Sequence, residues 1–99
     1  MDDPDTVIAN ARAVVLEWVQ RTHRDFLGTN DELARLFYSL LPSDVGLELR
    51  VNRNPSALVY EARWYHQGRP VEDFPKPFCG ETQADAKLLA CAAMVNLPG

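Results

Sequence analysis

The sequence predicts an α+β fold of order α-α-β-β-β-α, with a three-stranded antiparallel sheet whose helices pack mainly on one face. Three observations point there. Two stretches before residue 43 repeat apolar residues at helical spacing, the stretch from Val45 to Tyr65 alternates apolar and polar residues, and helical spacing returns after Gly80. The 99 residues fit one domain, 1–99, with a helical part at 1–44 and the sheet and last helix at 45–99. A chain of this length buries roughly 65% of its unfolded surface, enough for a modest core without staples. With 46% hydrophobic and 24% charged residues the composition is globular, since disorder needs fewer apolar residues and a larger net charge.

The first helix is expected over Asp5–Arg24. Val7, Ile8, Ala11, Val15, Trp18 and Val19 share a face. Pro4 with Asp2, Asp3 and Asp5 suits a helix start, and Arg21, His23 and Arg24 suit its end, because the helix dipole favours those signs there. Gly28 interrupts. Thr29 and Glu32 then have capping-box spacing, opening a second helix that runs to Leu41, before Pro42. Its stripe is Leu33, Leu36, Phe37, Leu40 and Leu41.

"LELRVNR" and "LVYEARWY" flank the turn signal Asn54-Pro55-Ser56. A hairpin register that pairs Leu47 with Trp64, Leu49 with Ala62 and Val51 with Tyr60 gathers the apolar residues on one side. It also sets Glu48 against Arg63 and Arg50 against Glu61 on the other, two favourable cross-strand pairs. "HQGR" at 66–69 is the next turn, and a third strand is expected from Pro70 or Val71. Phe74 and Phe78 would share a face of an extended chain, and Pro75 and Pro77, lacking amide donors, mark a sheet edge that resists further pairing. Thr82 and Asp85 open the last helix, Thr82–Asn96, whose alanines allow close approach to the sheet.

The net charge is −4, all of it in the first 46 residues, where eight acids meet four bases; the remainder balances six against six. Nucleic-acid binders gather the opposite sign on one face, so nucleic acid is not the expected partner. No apolar run approaches the ~18 residues of a membrane span, and the first residues have no basic, apolar leader pattern. A cytoplasmic protein with reduced thiols is expected. Cys91 reads as a small core residue, and Cys79 precedes a helix start without a recognisable catalytic partner.

No cofactor, metal site or catalytic residue is indicated. His23 and His66 lie in different elements without ligand spacing, a His66–Cys79–carboxylate set is the one metal arrangement conceivable, and adjacent Glu72 and Asp73 in a strand would face opposite sides. Trp64, Tyr65, His66 and Arg69 form the candidate binding cluster, because aromatics and arginine anchor interfaces. The outer residues Glu48, Arg50, Glu61 and Arg63 offer a second surface, and Trp18 a route to a homodimer.

"GETQADAKLLACAAMVNL", following the strands, resembles the C-terminal part of the phage ABA-sandwich proteins over about residues 45–97, through Gly80, Thr82, Ala84, Ala86 and the alanines beyond. The resemblance implies a small phage or prophage accessory protein and transfers no catalytic residue. From Asp31 onward the element order is also similar to the double-stranded-RNA-binding domain. That family meets phosphate with lysines at its last helix start, where this chain has Glu81, Gln83 and Asp85, with Lys87 the one base. The expected function is non-enzymatic, acting through a protein partner. Alternatives are an acidic inhibitor using Asp2, Asp3, Asp5, Asp31 and Glu32 to occupy a nucleic-acid site on a host protein, and a divergent nucleic-acid-binding domain.

Overall fold

The computed structural model describes residues 3–54 and 57–97. Its elements are α1 (Pro4–Val19), α2 (Asn30–Ser39), β1 (Val45–Asn54), β2 (Ala57–His66), β3 (Arg69–Pro70), β4 (Phe78–Gly80) and α3 (Gln83–Val95). The expected α+β class and element order hold. The turn expected at residues 54–56 falls largely outside the described residues, as does Asp2.

The last helix organises the fold. α3 packs against β2 and β4 on one side and against α1 and α2 on the other. This explains its composition: a helix packed on two opposite sides needs apolar residues on both, and small residues let neighbours come close. Ala86, Leu88, Ala90 and Cys91 are fully buried, and Ala92 nearly so. Around them sit Val15 and Val19 of α1, Leu33 and Phe37 of α2, and Ala62 and Trp64 of β2. Burying a large apolar side chain of this kind contributes about 1.5–3 kcal/mol. The first helix thus packs within its own chain, and Trp18 sets its ring edge-on against Phe37, centroids 4.8 Å apart.

Local chemistry sets the helix boundaries. Asp3 caps α1, accepting from the Asp5 amide. The helix ends at Val19 rather than at the expected Arg24, so Arg21, His23 and Arg24 lie beyond it. There the Thr22 hydroxyl donates to the Val19 carbonyl, and the Gln20 side chain donates to the Phe26 carbonyl, turning the chain. Arg12 fastens the return by donating to the Gly28 carbonyl and to Asn30 Oδ1, both at 2.8 Å. α2 opens with the expected capping box: Thr29 Oγ1 accepts from the Glu32 amide and Glu32 Oε1 accepts from the Thr29 amide. It ends at Ser39, and Leu40 and Leu41 close a tighter turn onto the Phe37 and Tyr38 carbonyls. Thr82 caps α3 by accepting from the Asp85 amide.

The β1–β2 register is the one that charge pairing predicted: Leu47 opposite Trp64, Leu49 opposite Ala62, Glu48 opposite Arg63, Arg50 opposite Glu61. The third strand differs. It is divided, so the antiparallel sheet has four strands. β3 pairs with the end of β2 (Tyr65 opposite Pro70), and β4 pairs with its middle (Glu61 opposite Cys79, Ala62 opposite Phe78). Between them the chain leaves the ladder and turns, with the Phe74 amide donating to the Val71 carbonyl. Pro75 and Pro77 lie in this excursion, where they need no ladder bond. Phe74 and Phe78 still meet, edge-on at 5.4 Å, through the turn rather than along a strand. Glu72 and Asp73 also lie in the turn, not in a strand. The β2–β3 turn has positive φ at both central residues, Gln67 (52°) and Gly68 (79°), the combination whose twist suits a two-residue hairpin.

Candidate functional site

Strand alternation sorts the four residues of the candidate cluster, because consecutive side chains point to opposite faces. Trp64 faces the helices. It is fully buried, its indole N–H donates to the Ala90 carbonyl at 2.8 Å, and its ring stacks with Tyr38, centroids 6.4 Å apart. It belongs to the core and has no surface to offer a partner. Tyr65 faces the other way and is half-buried. His66 and Arg69 are exposed and sit opposite each other at the two ends of the tight turn. His66 Nε2 lies 3.0 Å from Asp44 Oδ2, which ties the turn to the start of β1. An open groove of about 670 Å³ runs past His66, Arg69, Glu72 and Asp73.

Tyr65 instead joins the outer sheet face. There Glu48, Arg50, Glu61, Arg63, Tyr65 and Pro77 line a shallow cleft of about 280 Å³. No helix packs on this face among the described residues, since all three lie on the Trp64 side. The floor is a checkerboard of charge. Glu48 and Arg50 form an ion pair along β1, and each faces an opposite charge across the ladder on β2. Arg50 is exposed and Glu48 partly so, and their ion pair is therefore worth little to folding. Tyr65 supplies a rigid wall with an apolar body and a polar tip. Cys79 lies on the same face, its thiol 4.0 Å from Glu61 and exposed.

Other sequence candidates scatter. Cys79 lies opposite Glu61, five residues along β2 from His66, so the two are at different places on the sheet. Among the described residues no three His, Cys, Asp or Glu gather to hold a metal ion. Cys91 is inside α3's packing, and burial pushes its thiol up to about 12. Three acids of the first half, Asp3, Asp31 and Glu32, are engaged locally. Asp31 meets Arg35 at 3.0 Å and Lys87 at 3.4 Å, Asp3 caps α1, and Glu32 is held below the usual carboxylate range by the Thr29 amide and hydroxyl. A more apolar groove of about 410 Å³ follows Val7, Ile8, Val59, Cys79 and Leu89, between the start of α1 and β4.

No helix among the described residues is long and apolar enough to cross a membrane. Compared with models of protein families, with curated proteins and with solved structures, the chain matches none of them.

Proposed function

We propose that this protein is a non-enzymatic accessory domain that binds another protein through the outer face of its sheet. The observation that carries the reading is the uncovered face itself, with alternating Glu48, Arg50, Glu61 and Arg63 beside a half-buried Tyr65. Interfaces favour tyrosine and arginine, and interspersed charges of both signs select a partner by complementarity rather than by bulk attraction. His66 and Arg69 stand at the Tyr65 end of the sheet but, by strand alternation, on the opposite face. Binding there would act by occlusion or by bridging, without covalent chemistry. The resemblance of residues 45–97 to the phage ABA-sandwich proteins makes a phage or prophage the proposed source and the cytoplasm the proposed site of action.

The test is affinity capture by tagged wild type and by a Tyr65→Ala/Arg63→Ala variant, with nuclease present, at low and high salt. The reading expects a stoichiometric, nuclease-resistant protein retained by wild type and lost with the variant, weakening at high salt because the contact is charged. Material captured equally by both proteins, or removed by nuclease, would refute it.

A further inference from the structure

The two edges of the sheet are treated differently. On the β3–β4 side the ladder is short and interrupted, and prolines stand at 70, 75 and 77. On the other side β1 runs ten residues without a proline, and no element other than β2 packs closely along it among the described residues. A long, regular, uncovered edge strand is a template for pairing.

Hydrogen-bond parity shows which groups it presents. The Gln67 amide donates to the Asp44 carbonyl, so Asp44 and Gln67 are a bonded pair of the β1–β2 ladder. Bonded and non-bonded pairs alternate along an antiparallel ladder. Gly46, Glu48, Arg50 and Asn52 therefore bond to β2, while the amides and carbonyls of Leu47, Leu49 and Val51 point to the free edge. Val45 is already used, donating to the Pro42 carbonyl and accepting from the Tyr38 hydroxyl. The available edge is Leu47 to Val51.

That segment is complementary to itself. We propose that β1 pairs antiparallel with β1 of a second copy of this chain, about a two-fold axis at Leu49. Leu49 then meets Leu49 of the second copy, and Leu47 meets its Val51, all three being residues whose main-chain groups face outward. On the outer face Glu48 meets Arg50 of the second copy, and Arg50 meets its Glu48. Charge selects this register. Sliding one strand by two residues keeps the hydrogen bonds but sets Glu48 against Glu48 in one direction and Arg50 against Arg50 in the other. Like charges directly opposite are unfavourable and opposite charges favourable. The pairing also covers Val51, a large apolar side chain left 47% exposed on the helix side of the sheet. The contact is short, so the dimer is of the weak, concentration-dependent class. It leaves the outer face open and joins two copies of that face into one surface.

Sedimentation and residue-resolved amide exchange from about 1 μM to about 1 mM test it, the range over which weak complexes populate. Wild type should pass from 11.1 kDa to twice that mass as concentration rises. Over the same range the Leu47, Leu49 and Val51 amides should gain protection, while those of Glu48 and Arg50 stay protected throughout. Arg50→Glu and Glu48→Arg should each be monomeric. Their equimolar mixture should restore a 1:1 dimer, because one variant carries acids at both positions and the other carries bases at both. Val51→Lys, at a half-exposed site, should weaken the dimer without lowering the melting temperature of the monomer. A wild type that stays monomeric throughout, or a mixture no more associated than its components, overturns the proposal.

Discussion

At Gly80 β4 passes close to the first turn of α3, and substituting it tests how rigidly the last helix is held. A β-carbon at residue 80 would stand 2.6 Å from the Ala86 amide nitrogen and 2.9 Å from the Asp85 β-carbon. The first neighbour is backbone of a capped helix turn and cannot rotate away. α3 cannot retreat as a whole either, because α1 and α2 close its far side. Overpacking of this kind costs about 1–3 kcal/mol. Restricting the unfolded chain by replacing glycine with alanine returns about 0.4–1 kcal/mol. Gly80→Ala should therefore destabilise by about 1–2 kcal/mol, a fall in melting temperature of roughly 5–15 °C for a domain of this size. Gly46→Ala is the matched control: the nearest atom to its added β-carbon is Tyr65 Cβ at 4.0 Å, so it should leave stability unchanged or slightly raised. Thermal and urea unfolding of both variants reads the difference. If Gly80→Ala melts with wild type, or the two substitutions shift stability equally, the argument from close approach is refuted.

Four further outcomes follow from the core, its thiols and the β2–β3 turn. Trp64→Phe should cost about 2 kcal/mol, through the lost bond to the Ala90 carbonyl and the void left by the smaller ring, and Trp64→Ala about 3–5 kcal/mol, both read by chemical unfolding. A thiol reagent should label Cys79 in the native protein and reach Cys91 only as the protein unfolds, since the first is exposed and the second buried; mass spectrometry of timed samples distinguishes them. Cys91 also carries a pH dependence. The folded state holds its proton more tightly than the unfolded state, so its contribution is complete below about pH 8.5 and is lost as pH rises from there toward 12. The melting temperature of wild type should fall more steeply between about pH 8.5 and about pH 10 than that of Cys91→Ala. Gly68→Ala should cost about 1 kcal/mol by placing a side chain at φ 79°, measurable as a lower denaturation midpoint.

How much of this was legible in the sequence depended on whether the deciding interaction was local. The Thr29–Glu32 box needs only its own four residues and was readable directly. The hairpin register was readable because two independent patterns, apolar alternation and opposite charge, select the same pairing. The end of α1 was not, because Gln20 and Thr22 side chains decide it through bonds to Phe26 and Val19 that spacing does not announce. The prolines at 75 and 77 correctly marked an edge, yet they did not reveal that the strand leaves the ladder after Pro70 and returns at Phe78. The Trp64–Tyr65–His66–Arg69 cluster joined neighbours in sequence that strand alternation separates in space. Trp64 went to the core, and the residues that actually flank Tyr65 are Glu48, Arg50, Glu61 and Arg63, drawn from two strands.

The position of α3 has a consequence for the order in which the fold can complete itself. Every other layer leans on this helix, yet it is the last of these elements to leave the ribosome. Until residues 83–95 emerge, Trp64 has no carbonyl to bond, β4 has nothing beneath it, and α1 and α2 have only each other to cover Val15, Val19, Leu33 and Phe37. The contacts that join the helical layer to the sheet thus wait for residues 83–95, because this helix supplies the surface that both layers bury.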